Sequence, residues 1–202
     1  MIKKKKNALI FGISGQDGAY LASYLLGKGY KVAGTTRDKS KKNLSRLTRL
    51  GIFKKVNIHK GEATNNFFCK KIINKQINEI YYLAGDSSVV RSFDHPQQSL
   101  QSNTIGILNI LEIIKKNKLK TKVFNSGSGQ FYGDNKKNKY HLESKIEPQS
   151  PYGVSKAAGY WLTKIYREKY DIFCCTGVLF NHESVLRSKE FVTKKIIDTA
   201  KK

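Results

Sequence analysis

Apolar and polar positions along this chain follow two rhythms in turn. Residues 8–13 form a short apolar run bounded by lysine and glycine, the mark of a buried strand. From Asp17 the apolar positions Tyr20, Leu21, Tyr24 and Leu25 recur at helical spacing, and Gly29 is placed to end that helix with a left-handed cap. Residues 31–36 read as the next strand, completing a β-α-β unit of about 30 residues. The alternation continues with a strand at 55–59 and an amphipathic helix at 65–76, with Phe67, Phe68, Ile72 and Ile73 inward. A strand at 79–84 precedes a long helix at 96–117 that carries Ile107, Leu108, Leu111 and Ile114 on one face. Residues 122–126 read as a strand, and 135–149 as a polar loop with four lysines. Ser150 as N-cap and Pro151 at the first position open a helix over 151–170. A strand at 173–180 and a helix at 188–202 close the chain. Strands alternating with helices predict an α/β fold, a doubly wound, Rossmann-like parallel sheet. No internal repeat and no linker divides residues 1–202, so one domain is expected.

Composition adds limits. Hydrophobic residues make up 39% of the 202 positions and charged residues 26%, an ordinary balance for one globular domain with its own core. No apolar run approaches the roughly 18 residues of a membrane span. Lys3 to Lys6 are not followed by a long apolar stretch ending in small residues, so no secretory signal is read. Cys69, Cys174 and Cys175 lack metal-ligand spacing and form no disulfide framework; the expectation is a reduced, cytoplasmic protein without a metal site. A net charge of +23 would suit a nucleic-acid or anionic-membrane surface. The lysines, however, are spread along the whole chain, and runs such as Lys41-Lys42 and Lys115-Lys116 lack interleaved aromatics. No nucleic-acid or membrane partner is therefore expected.

The first strand-to-helix turn carries Gly12, Gly15 and Gly18 at three-residue spacing. Gly12 permits a tight turn, Gly15 lets backbone approach a pyrophosphate, and Gly18 lets helix and strand pack closely. The helix N-terminus then presents unpaired N–H groups to phosphate. Domain 1–202 is thus expected to bind NAD or NADP. Asp38, twenty residues past Gly18, suits the ribose 2′-hydroxyl of NAD, whereas its neighbour Arg37 suits the 2′-phosphate of NADP. NADP is favoured, with NAD as the alternative.

Tyr-x-x-x-Lys recurs at Tyr132/Lys136, Tyr152/Lys156 and Tyr160/Lys164, so the motif alone selects nothing in so lysine-rich a chain. Context selects Tyr152 and Lys156, one turn apart on the helix that follows Ser126-Gly127-Ser128. Lys156 is expected to lower the Tyr152 phenol pKa and hold a nicotinamide ribose. Tyr152 would then exchange a proton with a sugar hydroxyl, with Ser128 bonded to that same hydroxyl. Tyr160 is expected to pack.

Several segments resemble the GDP-mannose 4,6-dehydratase family, within the extended short-chain dehydrogenase/reductases. They are the loop from Gly12 through Gln16 and Asp17 to Gly18, Ser87-Ser88-Val89 with Ser92-Phe93, and Ser150-Pro151-Tyr152 with Lys156. Tyr166-Arg167-Glu168, residues 179–184 (Leu-Phe-Asn-His-Glu-Ser), and Arg187 with Phe191-Val192-Thr193 follow in order. The resemblance implies an internal oxidation–reduction that removes water from GDP-mannose or a related nucleotide sugar. Hydride leaves carbon 4, a base takes the carbon 5 proton, the carbon 6 hydroxyl leaves, and hydride returns to carbon 6. It further implies cofactor contacts at Gly12, Gly15, Gln16, Asp17, Gly18, Arg37, Glu62, Ala63, Leu83, Ala84, Tyr152, Lys156 and His182. Substrate contacts are implied at Ser88, Asn181, Arg187 and Thr193, and catalytic positions at Ser128, Gln130, Tyr152 and Lys156. A homo-oligomer is implied for a full-length chain.

The resemblance is imperfect. Gln130 stands where the family places a glutamate, and a carboxamide cannot take the carbon 5 proton. Asp86 replaces the usual glutamine, which reads as a hydrogen-bonding substitution or a relocated acid. Glu62 replaces an aspartate and Val185 a proline. The resemblance also implies a further C-terminal substrate portion, so the chain is read as a fragment or a degraded relative. A redox-only or epimerising enzyme and a non-catalytic remnant are the competing readings.

Overall fold

The computed structural model describes residues 5–133 and 139–200. Six parallel strands form one sheet: β1 (Asn7–Phe11), β2 (Lys31–Thr36), β3 (Asn57–Lys60), β4 (Glu79–Tyr82), β5 (Lys122–Ser126) and β6 (Cys174–Gly177). Their spatial order is β3-β2-β1-β4-β5-β6, so the winding direction reverses between β1 and β4. Such a switch point opens a crevice at the carboxyl ends of the strands, where ligands of this fold class bind. The expected Rossmann-like architecture is therefore the observed one.

Helices cover both faces. One face buries Ala8 and Ile10 of β1 under Ala19, Ala22 and Leu25 of α1 (Gln16–Gly27) and Leu47 of α2 (Ser45–Arg49). The opposite face buries Leu9, Phe11, Ile80 and Tyr82 under α3 (Asn66–Ile72), α6 (Gly106–Lys116) and α7 (Pro151–Tyr170). Alternate residues of β1 thus serve two cores, as the period of a strand requires. Gly29, with φ +82°, ends the α1 coil as expected.

The structure revises several boundaries. β1 stops at Phe11 rather than at 13, because Gly12 turns to a φ of +85°. A 3-10 turn (Phe53–Lys55) occupies the start of the expected third strand. Helix α3 spans two turns and not the expected 65–76. Asn65 caps its start by accepting from the Phe68 N–H at 3.0 Å, and Ile73 is already extended. Phe67 is 80% exposed, contrary to the inward assignment, while Phe68, Cys69, Ile72 and Ile73 face the core. β6 covers only part of 173–180, and α8 (Val192–Ala200) begins four residues later than expected and has no buried residue. The short α4 (Val89–Asp94) and α2 carry no long periodic pattern and were not expected.

The expected helix at 96–117 is three pieces: α5 (Pro96–Leu100), a π turn (Gln101–Ile105) and α6. The Tyr82 hydroxyl donates to the Ser102 carbonyl, which a regular coil would reserve for the N–H of Gly106. Gly106 lets the ring approach, since a Cβ there would overlap that hydroxyl. The coil widens by one residue to keep its remaining groups paired.

The loop expected at 135–149 lies partly outside the described residues, as does Lys136 of the Tyr132/Lys136 pair. Among the described residues no helix is long and apolar enough to cross a membrane.

Candidate functional site

The glycine turn sits at the switch point. A Cβ on Gly12 would lie 2.9 Å from the Ala84 backbone nitrogen, so β1 and the residues after β4 approach as closely as backbones can. Leu83 and Ala84 form that facing wall, with the Leu83 N–H donating to the Phe11 carbonyl at 3.0 Å. Gly15 precedes α1 without any side-chain cap, so the first-turn N–H groups point from the helix end without an intrahelical acceptor. Gly18 seats α1 on the turn: a Cβ there would overlap the Gly12 carbonyl and come within 2.8 Å of the Ile13 Cα. This backbone cradle has the form that receives a pyrophosphate.

At the end of β2, the Asp38 carboxylate is occupied locally. It accepts from the Ser40 N–H at 2.8 Å and from the Ser40 hydroxyl, and those bonds hold its pKa below the usual carboxylate value. Arg37 beside it is exposed. Asn43 pins the same corner, donating to Thr36 Oγ1 at 2.7 Å and to the Asp38 carbonyl at 2.6 Å. Glu62 follows β3, is exposed, and accepts from Thr64 Oγ1 at 3.2 Å. Ala63 is buried and its carbonyl accepts from Asn109 Nδ2 at 2.9 Å.

The floor of the crevice is built by β5 and α7. Ser150 caps α7, accepting from the Gly153 N–H at 3.0 Å, which sets Tyr152 and Lys156 one turn apart on the buried side. The Lys156 ammonium donates to the Ser126 carbonyl at 2.8 Å and the Ser126 hydroxyl at 3.3 Å. Burial lowers its pKa to about 8, against an opposing pull from Asp17 across the crevice. Two of the three ammonium donors are committed to Ser126, and among the described residues the third has no protein acceptor.

The expectation that Lys156 lowers the Tyr152 phenol pKa is corrected. Lys156 Nζ lies 5.8 Å from the ring centroid, and the phenol is pushed up, by burial first. A hydrogen bond with Ser128 pulls it down and the negative charge of Asp86 pushes it further up. Ser128 is also the N-cap of a 3-10 turn (Gly129–Tyr132), accepting from the Gln130 N–H at 3.2 Å. Gln130 is exposed. Tyr160 packs against Phe131 and Trp161, as expected.

Asp86 was legible only as a departure from a pattern. Its side chain is 9% exposed, Oδ1 accepts from the Ser88 N–H at 3.2 Å, and Oδ2 is buried without a hydrogen bond among the described residues, with Arg91 Nη2 at 3.9 Å. Ser88 caps α4, accepting from the Arg91 N–H at 3.2 Å.

Residues 180–188 form a strap between β6 and α8 that returns to the glycine turn. Ser184 Oγ donates to Gln16 Oε1 at 2.8 Å. His182 bridges Asp17 Oδ1 at 2.9 Å and the Phe180 carbonyl at 2.7 Å. Both partners are acceptors, so both ring nitrogens must donate, and only the imidazolium can do so. Its pKa is accordingly raised, by the Phe180 carbonyl first and then by Asp17. Arg187 stacks on the Phe191 ring at 3.5 Å and lies 3.3 Å from Glu183 Oε2. Asn181 is exposed, and Thr193 is the second residue of α8 rather than part of the strap. The sequence reading missed Arg46 of α2, which meets both the glycine turn and the strap; its distance in sequence from the strap gave no signal.

A parallel sheet with its glycine turn at the reversal and a buried Tyr-Lys pair across the crevice defines the short-chain dehydrogenase/reductase class. The solved UDP-glucuronic acid 4-epimerase of Bacillus cereus superposes with a TM-score of 0.85 at 22% identity, over 96% of this chain and 62% of that one. The dTDP-glucose 4,6-dehydratase of Streptomyces venezuelae gives 0.84 at 19% identity, over 96% and 61%. These likenesses concern the fold. The GDP-mannose 4,6 dehydratase family model matches residues 9–202, and the chain belongs to that family. It is 39% identical to GDP-mannose 4,6 dehydratase 2 of Caenorhabditis elegans, over 96% of this chain and 53% of the relative. It is 40% identical to a GDP-mannose 4,6-dehydratase of Vibrio cholerae, over 95% and 54%. The chain thus spans about half the length of the curated relatives it matches.

Proposed function

We propose that this chain forms the dinucleotide-binding and catalytic part of a nucleotide-sugar 4,6-dehydratase (a lyase) acting on GDP-mannose. The observation that carries the reading is the buried Tyr152, near enough to Ser128 to feel its hydroxyl and one helical turn from the buried Lys156, whose ammonium Ser126 holds. Family membership supplies the substrate class. The backbone cradle, the uncapped α1 N-terminus and the spare Lys156 donor fit a nicotinamide dinucleotide, and relatives in fold are solved with NAD. Exposed Arg37 beside an Asp38 carboxylate already engaged by Ser40 favours the 2′-phosphorylated form, NADP. When bound, that group supplies a reversible hydride acceptor.

The chain's own groups then divide the work. The glycine turn and the first turn of α1 hold phosphate. Lys156, anchored by Ser126, holds a ribose hydroxyl with its third donor. Ser128 bonds the reacting sugar hydroxyl, and Tyr152 takes its proton as the carbon beneath is oxidised. Arg187, Asn181 and Ser88 are assigned to the nucleotide sugar. We place the enzyme in the cytoplasm on its free Cys69, Cys174 and Cys175, as a homo-oligomer by likeness to its family.

Gln130 favours a second reading. A carboxamide there takes no proton from the carbon next to the new ketone, so the chemistry would end with oxidation or epimerisation at carbon 4. Incubation of the purified protein with GDP-mannose and NADP separates the two. Loss of one water to give the 4-keto-6-deoxy sugar, read by mass spectrometry and NMR, supports dehydration. Hydride exchange at carbon 4 without water loss establishes the second reading. Absence of both, with no dinucleotide bound, rejects the two together.

A further inference from the structure

Arg46 sits on α2, whose other visible role is to bury Leu47 against the sheet. Its guanidinium is half-buried and reaches three acceptors. Nη1 donates to the Ser14 carbonyl inside the glycine turn at 3.1 Å, Nε to the Leu186 carbonyl at 2.8 Å, and Nη2 to the Ser188 hydroxyl at 2.6 Å. The last two acceptors belong to the strap. Burial and the nearby charges of Arg49 and Arg187 all make a cation costly here, and Glu190 opposes them. A cation kept in such a place is retained by its hydrogen bonds.

The fork geometry matters. A guanidinium presents five donors in a fixed plane and can serve acceptors on two segments at once, whereas an ammonium is a single point. The strap is exposed over most of its length, and two further bonds, from His182 and Ser184, reach the same glycine turn. The strap carries Asn181 and Arg187, assigned above to the nucleotide sugar, and the turn carries the phosphate cradle.

We propose that Arg46 is a positioning residue that couples the two ligand sites: order imposed on the glycine turn by a dinucleotide is transmitted through its guanidinium to the strap that receives the nucleotide sugar. The assignment of ligands rests on the function proposed above; the mechanical link does not.

Hydrogen–deuterium exchange of this chain tests it, with NADP as the probe, on the wild type, Arg46→Gln and Arg46→Lys. The amides of Leu186 and Arg187 report on the strap, since they donate to the Ser184 hydroxyl and carbonyl. In the wild type NADP should slow exchange in both the glycine turn and the strap. In both variants ligand-free strap exchange should rise roughly tenfold, the scale of lost charged hydrogen bonds. NADP should still protect the turn in both variants but no longer the strap. Protection of the strap by NADP persisting in Arg46→Gln overturns the coupling, and a wild-type pattern in Arg46→Lys overturns the need for the fork. Ser188→Ala removes one half-buried acceptor in the strap and leaves every strand of the sheet untouched; a smaller rise in strap exchange supports the link, and none overturns it. If NADP does not bind the wild type, the proposed function fails, and the ligand-free comparison still decides the link by the same rise or its absence.

Discussion

The two walls of the crevice are made differently. The glycine turn is fixed by backbone against backbone: Gly12 against Ala84, Gly18 against Gly12 and Ile13. The strap that lies against it is fixed by side chains from other segments, through Arg46, Gln16 and Asp17. Steric exclusion of a single methyl group is nearly all-or-none, whereas a set of hydrogen bonds can be weakened one at a time. The first wall is thus suited to hold one geometry and the second to be adjusted by ligand, pH or substitution.

The largest effect should come from the floor between them. Tyr152→Phe should lower hydride transfer from GDP-mannose by about 10²–10⁴-fold with dinucleotide affinity retained, read by single-turnover absorbance of the reduced cofactor. Next, Gly18→Ala should cost about 3 kcal/mol and lower dinucleotide affinity, because the new methyl meets the Gly12 carbonyl and Ile13. Urea denaturation and titration with NADP would check this; a neutral outcome would break the contrast between rigid and adjustable walls.

Asp86→Asn removes a negative charge that helps hold the Tyr152 phenol up. The phenol pKa should fall, moving the ionised form to lower pH, as read by the pH dependence of hydride transfer. On the strap, His182 supplies a pH test. Its pKa is raised by the Phe180 carbonyl and Asp17, so its contribution to stability is whole below the ordinary value of about 6.5. It is lost as pH climbs through the folded-state value, where one of the two acceptors loses its donor. Ring-proton NMR of His182 and denaturation midpoints across that window would follow it, with His182→Asn showing no such dependence. The smallest effect is Gly27→Ala, a gain of about 0.5–1 kcal/mol in denaturant, since nothing lies within 4 Å of the added methyl.

The same contrast governs what the sequence made legible. The turn at Gly12 to Gly18 and the start of α7 at Ser150 and Pro151 are local signals, carried by neighbours in the chain, and both stand where expected. Pairing of Tyr152 with Lys156 followed from one helical turn. The strap contacts join residues 140 to 168 positions apart, and no periodicity encodes such a distance. The phenol's upward shift was missed for a related reason. Burial of Tyr152 under the crevice floor and the nearness of Asp86 are tertiary facts, while the i, i+4 spacing advertised only the lysine. Phe67 is apolar without being buried, because a helix of two turns is too short to hide both it and Phe68.

The π turn after α5 works as a phase shifter. One additional residue in a coil rotates everything after it by about 100°, so two consecutive helices that share an axis can answer to different neighbours. Upstream, Ser99 meets the Ser155 hydroxyl at 3.3 Å, and within the turn Thr104 donates to the Ser155 carbonyl at 3.0 Å, one residue from Lys156. Downstream, Ile107, Ile110, Leu111 and Ile114 belong to the sheet. The Tyr82 ring that creates the offset stands on β4, the strand flanking the reversal. The central sheet and the helix bearing the reactive phenol are therefore indexed to each other through one hydroxyl, as a keyed shaft is to its gear.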